Sequence, residues 1–303
     1  MTEVQGLHHV TAYAKGAARN NGFFTETLGL RRVKTTVNFD APDMYHLYYA
    51  DAVGTPGTVM TYFPIPHAAP GRPGRGEVSR TVFAVPQGSL KHWETRLSAI
   101  GEVTRDEVFG TGRLLFTGPD GDRLAVTEAT APGRLWTERV PEAEAITGFH
   151  SVELSLGDIG ATADVLRLLG YVEDVSEPGA ARFRLPGGNG ANLIDLRQLD
   201  APRARPGAGS VHHVAFSVSD REAQLTLSGT LEAEGIRVTE QLDRNYFWST
   251  YFRSPGGVLF EIATDGPGFA HDEDPRHLGE RLMLPAQHEH LRDKLGQSLE
   301  PLQ

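Results

Sequence analysis

Leu7-His8-His9-Val10 and Val211-His212-His213-Val214 are two copies of one short strand-like run, and the fold follows from finding two more. The others are Ser79-Arg80-Thr81-Val82 and Phe149-His150-Ser151-Val152. Each run is followed by a glycine, Gly29, Gly101, Gly170 or Gly235, that lies 19 to 22 residues beyond the run's third member. Each copy then closes on an apolar strand, around Thr61, Ala125, Asp195 and Glu261. Self-similarity of this kind marks a chain that repeats one supersecondary unit, each copy needing a neighbour to cover its apolar face.

Between run and glycine the apolar spacing changes from strand to helix. In the second copy Leu90, Trp93, Leu97 and Ile100 recur at three and four residues, with Ser89 placed to cap the helix and Gly101 to end it. Ile159, Ala163, Leu166 and Leu169 repeat the pattern before Gly170, Asp220, Leu225 and Leu231 before Gly235, and Phe23, Phe24 and Leu28 before Gly29. Closing strands such as Thr58-Val59-Met60-Thr61-Tyr62-Phe63 and Val258-Leu259-Phe260-Glu261-Ile262 are rich in β-formers. Pro/Gly-rich stretches from Pro64 to Gly76, Ala131 to Pro141 and Asp200 to Gly209 fall between copies, where connections belong. The expected fold is α+β: four βαβββ modules over residues 5–65, 77–130, 147–200 and 210–265, then a tail, 266–303, with a short helix over Pro285 to Leu295. Paired modules should form two half-barrel domains.

Bulk properties narrow the function. The 303 residues suffice for two ordinary domains. No apolar run approaches the roughly 18 residues of a membrane helix. Met1-Thr2-Glu3-Val4-Gln5-Gly6 has neither the basic start nor the apolar core of a secretory leader. The absence of cysteine excludes disulfides, thiolate metal sites and cysteine nucleophiles, and suits the cytoplasm. A formal charge of −10 argues against nucleic acid as a partner. The expectation is a cytoplasmic protein, independent of membranes, homo-oligomeric, and acting on small molecules.

Strand residues two apart share a face, so inward positions can be compared copy by copy. The opening position holds His9, Thr81, Ser151 and His213; the closing position holds Thr61, Ala125, Asp195 (or Ile194) and Glu261. Opening and closing positions are 52 and 48 residues apart in the outer copies and 44 apart in both inner ones, which couples module 1 with 4 and module 2 with 3. The outer pair then unites His9, His213 and Glu261, with Thr61 in the fourth place. The inner pair offers no comparable ligand set and reads as scaffold. Two imidazoles and a carboxylate on one face of a divalent metal leave about three positions open, the arrangement of non-haem Fe(II) oxygenases. A lone strand histidine is ordinarily a core or surface residue. Two His-His pairs at matching positions, with a glutamate inside Phe260-Glu261-Ile262, carry more weight, because glutamate is rarely buried unpaired. His271 and His277, near the acidic run Asp272-Glu273-Asp274, and His288 and His290 in the terminal helix read as solvated surface. His46 reads as a strand residue with its tip at the sheet edge.

Leu7-His8-His9-Val10-Thr11, Val37-Asn38-Phe39-Asp40, Tyr45-His46-Leu47-Tyr48-Tyr49, Gly54-Thr55-Pro56-Gly57-Thr58, Arg244 through Glu261, and Gly268 through Asp274 resemble the vicinal-oxygen-chelate superfamily, more narrowly its ring-cleaving hydroquinone dioxygenases. The resemblance runs over nearly the whole chain. It implies that His9, His213 and Glu261 ligate Fe(II), with Mn(II) as the alternative, and that His8, Thr11, His212, Arg244 and Tyr251 surround them. It implies a small aromatic diol and O2 as substrates, with His212 or Tyr251 supplying a proton and Arg244 steadying anionic intermediates. Two rival readings use the same residues. A glyoxalase-type isomerase needs a fourth ligand where Thr61 stands, and a non-catalytic protein sequestering an aromatic compound would leave the ligand set without a purpose.

Overall fold

The first repeat folds as strand β1 (Val4–Ala14), helix α1 (Ala17–Gly22) running into a π-helical turn (Phe23–Thr27), then β2 (Arg31–Val37), β3 (Tyr45–Ala50) and β4 (Val59–Pro64). The second contains β5 (Glu77–Val85), α2 (Leu90–Ser98), β6 (Thr104–Val108), β7 (Thr111–Thr117) and β8 (Arg123–Glu128). The third contains β9 (Gly148–Leu156), α3 (Gly160–Leu168), β10 (Val172–Glu177), β11 (Ala180–Arg184) and β12 (Leu193–Gln198). The fourth contains β13 (Val211–Val218), α4 (Arg221–Ala233), β14 (Leu242–Asp243), β15 (Trp248–Arg253) and β16 (Leu259–Thr264). This computed structural model describes residues 3–131 and 133–302. Met1 and Thr2 of the N-terminus, Pro132 of the second connector and Gln303 of the tail lie outside the described residues.

One eight-stranded sheet has the order β14-β15-β16-β13-β1-β4-β3-β2, the other β10-β11-β12-β9-β5-β8-β7-β6. The outer repeats therefore share one curled sheet and the inner repeats the other, an α+β pair of half-barrels. In each sheet the two opening strands meet antiparallel at the centre, β1 on β13 and β5 on β9, and each opening strand runs parallel to its own closing strand.

Alternation along the strands sorts the side chains. Val10, Met60, Val214, Phe260 and Ile262 join helix residues Phe24, Trp93, Leu97, Leu166 and Leu231 in one continuous core. Each large apolar side chain buried there contributes about 1.5–3 kcal/mol. His9, Thr61, His213 and Glu261 alternate with these residues and so occupy the opposite, concave face.

Local details depart from expectation where distant groups intervene. Ser89 does not cap α2; its hydroxyl donates to Pro86 O (2.6 Å), and Glu128 Oε1 accepts from the N–H groups of Gly88 (2.8 Å) and Leu90 (3.2 Å) instead. Because α2 ends at Ser98, Ile100 lies beyond it and is exposed, as is Leu225 on α4. Asp220 does cap α4, accepting from Glu222 N and Ala223 N at 3.0 Å. Gly29, Gly170 and Gly235 adopt positive φ at the expected turns.

The tail also differs. Over Pro285 to Leu295 the chain makes a 3-10 turn, Ala286–Leu291, before α5 (Arg292–Ser298). His288 is not simply solvated, since its Nε2 lies 2.9 Å from Phe39 O. His271, His277 and His290 are exposed. The acidic run is partly interior: the fully buried Lys34 Nζ meets Asp272 Oδ1 at 2.6 Å and Glu273 Oε2 at 2.5 Å, and Tyr246 OH donates to Asp272 Oδ2 at 3.0 Å. A buried ammonium is tolerated only when paired in this way. Among the described residues no helix is long and apolar enough to cross a membrane.

Candidate metal centre

Each histidine pair of the outer repeats sits on a β-bulge. On β1, Leu7 faces Phe216 of β13 and His9 faces the next residue, Ala215, so His8 is the extra residue; on β13, His212 is extra between Val211 and His213. A bulge re-aims side chains that simple alternation would send to the other face. Here it lets Leu7 enter the core while His9 faces the concave side. It also folds His8 against His9 and His212 against His213, with Nδ1–Nδ1 separations of 2.8 Å in both pairs.

Burial, reinforced by the neighbouring ligand histidine, pushes the His8 and His212 imidazoles down to about 3. Both are therefore neutral. With their Nδ1 atoms accepting from the Nδ1–H groups of His9 and His213, the Nε2 lone pairs of His9 and His213 are directed to a common point. Those Nε2 atoms are 3.1 Å apart, and Glu261 Oε2 lies 2.8 Å from His213 Nε2 and 3.3 Å from His9 Nε2. Ser249 donates to the other carboxylate oxygen, Oε1, at 2.5 Å. Burial would raise the Glu261 carboxyl, but the two imidazoles hold it well below the usual carboxylate range; burial lowers His213 in turn, against the pull of Glu261.

The donor set fits a divalent metal. Three lone-pair-bearing atoms cannot converge this closely in a buried place without a cation or proton between them, and Glu261 Oε2 is buried with no hydrogen-bond partner. A metal about 2.1 Å from each donor places neighbouring donors about 3.0 Å apart in octahedral geometry and about 3.4 Å in tetrahedral geometry. The separations of 3.1, 2.8 and 3.3 Å scatter about the octahedral value.

Thr61 stands beside these donors with its hydroxyl committed. It donates to Thr11 Oγ1 at 2.9 Å and faces His46 Nε2 at 2.7 Å, while Tyr48 OH lies 2.8 Å from His46 Nδ1. Burial keeps His46 well below its ordinary value and Tyr48 well above, so both are neutral. His46 is thus no edge residue: β3 lies between β2 and β4, and His46 and Tyr48 line the metal-side cavity while Leu47 and Tyr49 enter the core.

That cavity, about 300 Å³, is walled by Phe39, Phe63, Phe247 and Leu259 and reached by Arg244, Tyr251 and His212. Arg244 Nη2 pairs with Asp40 Oδ2 at 3.2 Å, and its guanidinium stands 5.8 Å from the ring centres of Phe39 and Tyr251. Burial works against the Arg244 charge, but Tyr251 and Asp40 outweigh it and raise its pKa. Burial, seconded by Glu261, raises the Tyr251 phenol. His8 and Thr11 lie behind the cavity wall, in contact with His9 and Thr61 respectively. The sequence reading gives His46, Tyr48, Phe247 and Ser249 no individual site role; period-two alternation in Tyr45-His46-Leu47-Tyr48-Tyr49 is the available signal for the first two.

The other half-barrel has a different filling. On β5 the extra residue is Ser79, between Val78 opposite Leu154 and Arg80 opposite Glu153, so Arg80 rather than Thr81 takes the place that His9 holds. Asp195, not Ile194, matches Glu261, since Asp195 pairs with Glu153 as Glu261 pairs with Ala215. Arg182 closes on Asp195 with two bonds of 2.7 and 2.8 Å, leaving that carboxylate committed.

A model of the Glyoxalase/Bleomycin resistance protein/Dioxygenase superfamily matches residues 6–262. The chain belongs to this superfamily. Within it, the chain is 41% identical to the provisionally named ring-cleaving dioxygenase MhqO of Bacillus subtilis, covering 99% of this chain and 97% of that one. It is 35% identical to the chlorohydroquinone/hydroquinone 1,2-dioxygenase of Sphingobium indicum, covering 96% and 95%. A crystal structure of a provisionally assigned dioxygenase from Bacillus subtilis superposes with a TM-score of 0.96 at 40% identity, covering 100% of this chain and 99% of that one. The superfamily's glyoxalase-type half-barrels and metal dependence agree with the two curled sheets and the His-His-Glu cluster described above.

Proposed function

We propose that this chain opens the ring of a hydroquinone with O2, in an extradiol-type cleavage at one Fe(II) held by His9, His213 and Glu261; Mn(II) is the alternative for the same ligands. The observation that carries the reading is the convergence of these three donors at one side of a largely apolar cavity sized for a single ring. The hydroquinone-cleaving relative supports the choice of substrate class.

Held by His9, His213 and Glu261, the metal would supply Lewis acidity toward the diol and electron transfer toward O2. Phe39, Phe63 and Phe247 receive the ring and exclude water. Arg244, steadied by Asp40, presents a fixed positive charge where negative oxygen develops. Of the two candidate proton carriers, His212 is neutral with its Nδ1 lone pair committed to His213, so it turns an Nε2–H, and no proton acceptor, toward the cavity. Tyr251 is protonated and can give a proton when the ring opens. A glyoxalase-type isomerase is disfavoured because the Thr61 hydroxyl is already engaged by Thr11 and His46.

The test is anaerobic loading with Fe(II) or Mn(II), followed by oxygen uptake on a panel of hydroquinones and catechols. Uptake on hydroquinones is the expected result. Turnover of a glutathione hemithioacetal, with no oxygen consumed on any diol, would overturn the proposal.

A further inference from the structure

The two linkers that join the half-barrels cross side by side. Arg72 N donates to Arg205 O and Arg205 N to Arg72 O, both at 2.9 Å; Arg75 N donates to Pro202 O and Ala204 N to Arg75 O, both at 3.0 Å. This ladder sets Arg75, Arg203 and Arg205 around a cavity of about 340 Å³, and Arg253 of β15 completes the ring. Arg75 Nε donates to Ala201 O at 3.0 Å and Arg253 Nη1 to Gly257 O at 2.7 Å, which holds both guanidinium groups in place. Among the described residues Glu77 is the one carboxylate in the lining, and it is occupied by Arg123 and by the N–H of Gly74. Among the described residues none of the four arginines forms an ion pair. In a chain of net charge −10, this is a local reversal of sign that favours a bound anion.

The cavity adjoins the metal-side pocket: His212 and Leu259 line both. On the metal side the one arginine, Arg244, is already paired with Asp40. A hydroquinone carries no charge at neutral pH. Its ring-opened product does, because insertion of both atoms of O2 across one ring C–C bond leaves a carboxylic acid at one new end and an aldehyde at the other. Resting on the ring-opening reading above, we infer that the arginine cavity binds the carboxylate of the ring-opened product past the His212–Leu259 wall.

The test is calorimetric titration of cis,cis-muconate, a stable six-carbon ring-opened dicarboxylate, into the full-length metal-loaded protein, with sulfate as the comparison anion. Saturable binding of muconate, tighter than that of sulfate, is expected. The R203Q/R205Q double variant should weaken it at least about tenfold. R253Q, which leaves the linker ladder untouched, should weaken it in the same direction. No saturable binding, sulfate bound as tightly as muconate, or affinity unchanged in both variants would overturn the inference. Because binding is read without turnover, oxygen uptake without muconate binding sinks this inference alone, whereas absent oxygen uptake sinks the ring-opening reading on which it stands.

Discussion

His212 Nδ1 lies 2.8 Å from His213 Nδ1, and the same distance separates His8 Nδ1 from His9 Nδ1 on the antiparallel partner strand. Each prospective ligand is thus oriented by its own sequence neighbour, through a bulge rather than through a distant partner. Groups that fix the far nitrogen of a ligating histidine commonly set metal affinity by 10–100-fold. H212F keeps an aromatic ring at this position and removes the acceptor, so metal affinity should fall by about that factor, measured by competition with a chelator. Affinity equal to the wild type would show that the pair has no orienting role.

Tyr251 pairs directly with Glu261 across β15 and β16, as Tyr48 pairs with Thr61 across β3 and β4. The Tyr48 hydroxyl is taken up by His46, while Tyr251 faces the cavity. Y251F should therefore lower kcat about 10²–10⁴-fold with little change in KM, and Y48F should cost far less. Steady-state kinetics of the two variants decides; equal losses would remove Tyr251 as the proton donor.

The Arg182–Asp195 pair fills the position in the second half-barrel that Glu261 holds in the first. Removing one partner leaves a buried, uncompensated charge, a loss of about 3–5 kcal/mol. R182M should show that loss in urea unfolding while retaining full metal content in the folded protein. Metal loss without destabilisation would mean the two half-barrels are not separate in role.

His150 is held down to about 3 by burial, with Arg182 and Arg113 adding to the effect. An unfolded histidine titrates near 6.5, so between these values the unfolded chain binds the extra proton. Stability from this group is therefore present above about pH 6.5 and is lost as pH falls, with a slope of up to about 1.4 kcal/mol per pH unit. H150N should flatten the acid limb between pH 6.5 and 4.5 in chemical denaturation. A limb as steep as the wild type would assign the acid sensitivity elsewhere.

Much of this architecture is legible in the chain itself. The unequal spacing from His9 to Thr61 and from Thr81 to Ala125 already divides outer repeats from inner, and His9, His213 and Glu261 stand out by type and place. Bulges are not legible, because one extra residue shifts every later side chain to the other face. That is why the true counterpart of His9 in the second repeat is Arg80, and why His8 turns toward His9. Long-range partners are equally hidden. Glu128 caps α2 from 38 residues past Leu90, and Lys34 draws in an acidic run 238 residues away that reads locally as solvated surface.

Isotope incorporation shows whether a single metal held by both ends of the chain opens a hydroquinone with dioxygen. The Fe(II)-loaded wild type and His9→Ala are each given hydroquinone under ¹⁸O2, and the products are weighed. The wild type is expected to form a ring-opened acid with ¹⁸O in its new carboxylate, and His9→Ala to retain no iron, consume no oxygen and form no product. Full activity in His9→Ala, or a wild-type product without label, would contradict this expectation.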